Sequence, residues 1–123
     1  MNINQINNIS QKIMNNLSQD LLSNKFKGEI KNNYSGHCYL ASETLFHLTG
    51  GKDVWLVRNA RDSDNIVHWW LINKESNDIV DLTKRQYTDF NIKPPYENGK
   101  PGFFLTKKPS KRCLQLINKI FFN

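Results

Sequence analysis

The sequence is poor in sulfur, with two cysteines, Cys38 and Cys113, in 123 residues. That excludes a disulfide framework and a cysteine-rich zinc site. Three histidines, His37, His47 and His68, form no close-spaced ligand pattern. Neither a metal nor a cofactor is therefore expected. No run approaches the roughly 20 apolar residues of a membrane span. The N-terminal stretch MNINQINNISQKIMNNLSQDLL lacks the positive start and continuous apolar core of a secretion signal. A cytoplasmic protein with no membrane partner is expected, and export by a signal-less route would leave the same trace. Acidic residues are also short, at 11 against 17 Lys and Arg, for a net charge of +6 and a pI near 9.4. The excess suits an acidic partner. Nucleic acid is the weaker candidate, because no reader motif accompanies the charge and only KKPSKR (107–112) concentrates it.

Aromatic residues are not lacking. Three tryptophans and seven phenylalanines argue for a packed interior. The length fits one domain over residues 1–123. Ile6, Ile9, Ile13, Leu17 and Leu21 recur at spacings of three and four, which predicts an amphipathic helix over about 3–24, with Gly28 in the loop beyond. A second helix is predicted over 36–48, with Leu40 or Ala41, Leu45 and Leu48 inward, closed by Thr49-Gly50-Gly51. Strands follow at 54–58, 66–72 and 77–83, separated by a polar turn at 59–65 and by NKES. Prolines and glycines make 91–102 a loop. FFLT (103–106) reads as a short last strand. PSKRCLQLINKIFF reads as a final helix with Leu114, Ile117 and Phe121 on its inner side. Helices before an antiparallel meander give an α+β architecture.

A turn centred between Lys74 and Glu75 would oppose residues whose numbers sum to 149, so that His68 faces Asp81. Opposed side chains lie about 4.5–5.5 Å apart at Cβ. Cys38 heads the second helix, where free N–H groups and the dipole favour an anion. Cys38 as nucleophile, His68 as base and Asp81 as orienter make a thiol triad. Amides at the helix start would receive the oxyanion. Cys113, among Leu and Ile, reads as core. His37 is the rival base, but it points about 100° away from Cys38 on a helix, and lining a substrate groove is its other expected placement. His47 reads as surface or core filler. Tyr34 and Asn33 are candidate oxyanion donors. Gln86 is either a donor near the site or a tie for the following loop. Trp69 and Trp70 take opposite strand faces, one for the core and one, Trp69, for a groove floor.

GHCYLASETLFHLTGG, then HWW, then DLTKRQY, resembles the YunG-like proteins, a small family from bacteria and phages. Their pattern is similar: Gly-Gln-Cys opening a helix that ends in Gly-Gly, then His-aromatic-Trp, then Asp-Leu-Thr-x-x-Gln-aromatic. More distantly the chain resembles the papain-like group that includes NlpC/P60 peptidases and transglutaminase-like proteins. The likeness covers 36–87, and His37 stands where the family pattern has Gln. It implies a papain-like core with Cys38, His68 and Asp81 in the catalytic positions. The implied function is a thiol acyl-transfer enzyme, such as a peptidase, amidase, protein-glutamine deamidase or transglutaminase, acting on a protein or peptide. The alternative expectation is a non-catalytic binding module on the same fold, recognising an acidic protein or nucleic acid.

Overall fold

The computed structural model describes residues 2–22, 30–32 and 34–122. Among them are four helices, α1 (Ile3–Asn15), α2 (Cys38–Leu48), α3 (Arg85–Thr88) and α4 (Lys111–Phe122). They accompany four strands, β1 (Trp55–Arg61), β2 (Val67–Asn73), β3 (Ile79–Val80) and β4 (Lys100–Pro101). The strands form one antiparallel sheet in the order β3-β2-β1-β4. The helices α1, α2 and α4 pack on one another, and α2 lies against β2. The fold is α+β. Its core joins Ile6 and Ile13 of α1, Leu40 and Leu45 of α2, Trp55 and Leu71 of the sheet, and Cys113 and Leu116 of α4. Burying an aliphatic or aromatic side chain of this size contributes about 1.5–3 kcal/mol.

The first helix is shorter than expected. Asn2 and Gln5 open α1 with a reciprocal capping box. Asn16 closes it, because its amide N–H donates to the Ile13 carbonyl and its Nδ2 to the Lys12 carbonyl. Those bonds satisfy carbonyls that a further turn would otherwise use. Leu17 and Leu21 are still buried, carried inward by a 3-10 turn at Gln19–Leu21. The rest of the expected helix, the Gly28 loop and Asn33 lie outside the described residues. Helix α2 starts at Cys38 rather than 36, because Gly36 is left-handed (φ 79°). It ends at the expected glycines, and Gly50 (φ 107°) has no room for a Cβ, which would meet Val54 Cγ2 at 2.4 Å.

The sheet corrects several boundaries. Strand β1 runs on to Arg61, since Asp62 Oδ1 accepts from the Asp64 and Ile66 amides and tightens the turn. The β2–β3 hairpin pairs Leu71 with Val80 and Ile72 with Ile79, a sum of 151 rather than 149. The hairpin centre thus moves on by one residue, to between Glu75 and Ser76. Asn73 Oδ1 accepts from the Glu75 and Ser76 amides, and Asn77 takes the left-handed region (φ 62°). Strand β3 stops at Val80, and at Asp81 the chain turns as Asp81 Oδ1 accepts from the Thr83 amide. The expected strand at 103–106 does not form. Lys100–Pro101 takes the edge of β1 instead, while Phe103 and Leu105 are 84% and 91% exposed. Helix α4 is rotated from its expected face. Cys113 and Leu116 are fully buried, and Leu114 and Phe121 are exposed. Ser110, held by Glu43 through its amide and hydroxyl at 2.8 Å each, fixes how α4 enters.

Candidate active site

Three segments converge on one imidazole. The first segment is the head of α2. The amides of Cys38, Tyr39 and Leu40 have no hydrogen-bond acceptor among the described residues. Such free N–H groups favour negative charge. Cys38 Sγ lies 3.7 Å from the Val67 carbonyl oxygen, one residue before His68. The second segment is β2, which buries His68 completely. The third is the turn after β3, where Asp81 Oδ2 sits 2.6 Å from His68 Nε2. This pair survives the corrected register because a shift of two residues preserves the face. Asp81 reaches His68 along the diagonal instead of from directly opposite.

Asp81 is almost sealed, with its side chain 2% exposed. Besides His68, its oxygens accept from the Thr83 amide (3.1 Å), the Thr83 hydroxyl (3.4 Å) and Tyr96 Oη (2.8 Å). Burial opposes charge on His68, but hydrogen bonds and charge from Asp81 and Cys38 outweigh it and push His68 up to about 9. Trp70 stacks on the imidazole at 5.8 Å, and Tyr87 meets it edge-on at 4.8 Å. Burial, with Asp62 accepting from Oη at 2.7 Å, holds Tyr87 well above the usual phenol range.

Gln86 takes the other ring nitrogen. Its Nε2 is 2.7 Å from His68 Nδ1, and its Oε1 accepts from the Gly36 amide at 3.3 Å. It therefore lies at the site, as the first of its two expected placements has it, and fastens His68 to the loop before Cys38. An amide N–H on Nδ1 suits a neutral imidazole, whereas Asp81 and Cys38 favour the charged one. The charged form prevails because buried Asp81 needs a counter-charge.

Two other expectations are corrected by geometry. His37 is buried, 2% exposed, and its Nε2 lies 2.8 Å from the Ser18 carbonyl, so it faces α1 and lines no groove. Neighbouring positions at a helix start diverge by about 100°. Tyr34 donates its amide to Asn32 Oδ1 at 3.0 Å, and its Oη accepts from Arg85 Nη1 at 3.3 Å with the guanidinium over its ring at 5.1 Å, so its amide is spent within its own loop. Trp69 is packed between Tyr39 (4.9 Å) and Phe104 (6.1 Å), on the strand face opposite His68. His47 is half-buried against Phe46.

Sequence reasoning missed Tyr96. It arrives on a 3-10 turn, Tyr96–Asn98, inside the Pro/Gly loop. Its ring meets Trp70 edge-on at 5.2 Å, and Gly99 lies so close that a Cβ there would be 2.8 Å from Trp70 Cζ2. A lone aromatic between Pro-Pro and Glu-Asn-Gly was the only available signal. Among the described residues no group of three His, Cys, Asp or Glu could hold a metal ion, and no helix is long and apolar enough to cross a membrane. Comparison with protein-family models, with curated proteins and with solved structures gave no match for this chain.

Proposed function

We propose that the protein is a cysteine-dependent acyl-transfer enzyme with a papain-like core, related to the YunG-like proteins and acting on an amide of a protein or peptide. The observation that carries this reading is the buried Asp81–His68 pair beside a thiol at a helix N-terminus. Since Asp81 holds Nε2, Cys38 shares the other ring nitrogen, Nδ1, with Gln86. In the resting ion pair the Cys38 proton sits on Nδ1, and the thiolate sulfur attacks the carbonyl carbon. The oxyanion faces the free amides of α2. His68 then passes the proton to the departing amine, leaving a thioester on Cys38. Water or an acceptor amine attacks that thioester, His68 takes the incoming proton, and the thiol is restored. Peptidase, amidase, deamidase and transglutaminase reactions share these steps and differ in leaving group and acceptor.

The test is the pH dependence of iodoacetamide labelling, read by mass spectrometry at both cysteines in one sample. Cys113 is the internal control: it is fully buried, and burial pushes its thiol up to about 11. Cys38 should label faster than Cys113 at neutral pH and lose that advantage in His68→Ala. Equal slow labelling of both, with full labelling after unfolding, would overturn the enzyme reading.

A second reading has one observation in its favour. Cys38 is 8% exposed and Gln86 occupies the nitrogen that the thiol would use. A non-catalytic binding module on this fold, for an acidic protein or nucleic acid, would keep its activity in Cys38→Ala. The enzyme would lose all turnover.

A further inference from the structure

Away from His68, between the end of α2, β1 and the segment 101–107, runs a groove of about 820 Å³. Its apolar lining includes Phe46, Trp55 and Phe104, with exposed Phe103 also bordering it. Its charged lining among the described residues is Lys52, Arg58, Lys74 and Lys107, with no Asp or Glu. Among the described residues none of the four forms an ion pair. Lys74 Nζ donates to the Lys52 backbone carbonyl, which holds that cation at the groove without neutralising it. His47 also lines the groove, and its Nε2 is buried with no hydrogen-bond partner.

We propose that this groove docks an acidic peptide segment, seating an aliphatic or aromatic side chain against Phe46, Trp55 and Phe104 while flanking carboxylates meet Lys52, Arg58, Lys74 and Lys107. Cations bordering a low-dielectric trough focus a positive field into it. An apolar trough with charged borders also matches how peptide anchors are held, by buried side chains within a polar rim. Nucleic acid fits less well. Sequence-tolerant strand binding needs aromatic faces free for stacking. Here Phe46 meets Phe104 edge-on at 5.2 Å, and Phe104 stacks on Trp69, so those faces are already used. The proposal requires no chemistry at Cys38 and holds whether or not the thiol is catalytic.

The test is selection of a displayed random nonapeptide library on the full chain, followed by fluorescence anisotropy with the enriched peptides. Glu and Asp should be enriched beside Phe, Leu or Val. Lys52→Glu/Lys107→Glu, at two exposed positions outside the core, should weaken binding about tenfold or more, since each exposed ion pair contributes up to about 1 kcal/mol and reversal adds repulsion. Lys52→Gln/Lys107→Gln should weaken it less. Both variants should keep the wild-type melting curve. If the Glu variant does not fold, the Gln variant decides alone. Affinity should also fall as salt rises from about 50 to about 300 mM. Enrichment without acidic residues, or binding unchanged in the variants, overturns the proposal. So does a random single-stranded DNA oligonucleotide that binds in their place and is lost in the same variants, which would make the groove a nucleic-acid interface.

Discussion

Asp81 shares one oxygen between His68 Nε2 and Tyr96 Oη, and that sharing makes two residues tunable. Removing the Tyr96 hydroxyl concentrates the carboxylate on His68. Tyr96→Phe should therefore raise the His68 pKa above its value of about 9 while costing about 1 kcal/mol of stability. An NMR pH titration of the imidazole reads the first effect and urea unfolding the second. A purely structural role for Tyr96 would move only the second. Asp81→Asn removes the counter-charge and should lower the His68 pKa, with turnover falling about 10²–10⁴-fold. The same pair shapes stability. His68 titrates near 6.5 when unfolded and near 9 when folded. Its contribution is complete below pH 6.5 and disappears as pH rises through 9, a loss of about 3 kcal/mol. Melting temperatures from pH 5 to pH 10 should fall across that window in the wild type and stay flatter in Asp81→Asn.

At the scale of elements, faces were legible in the sequence and ends were not. The period-two pattern of β2 assigned His68 and Trp70 to one face and Trp69 and Leu71 to the other, and both assignments hold. The hairpin register slipped by two because it depends on Asn73 and Asn77. The side chain of Asn73 substitutes for ladder bonds, and Asn77 is left-handed. No periodicity reports either property. The His68–Asp81 pair was legible because a two-residue slip leaves parity intact. Tyr96 was not, since its position depends on how a Pro/Gly loop folds over Trp70. Three substitutions test these local controls. Asn77→Gly should be close to neutral, whereas Asn77→Val should cost about 1–2 kcal/mol for a left-handed β-branched residue. Gly99→Ala should cost about 1–3 kcal/mol by crowding Trp70, and urea unfolding measures all three.

Across the whole molecule, helix α4 is fastened to α2, the helix that Cys38 heads, by a buried carboxylate. Glu43 is 1% exposed and accepts both the amide and the hydroxyl of Ser110, whose Oγ also accepts from the Cys113 amide at 3.2 Å. Glu43→Ala leaves those donors unpaired and should cost about 3 kcal/mol, and Glu43→Gln, which keeps one acceptor, nearer 1 kcal/mol. Chemical unfolding of the two variants side by side gives the comparison.

The site is also scattered along the chain in a definite order. Asp81 follows Cys38 by 43 residues (81 − 38) and Tyr96 follows it by 58 (96 − 38). At about 5–20 residues per second of synthesis, the thiol precedes its orienting carboxylate by about 2–9 s. Late in that interval the nascent chain carries His68 without the carboxylate that pairs with it in the folded protein, so the buried imidazole gains its partner late in synthesis.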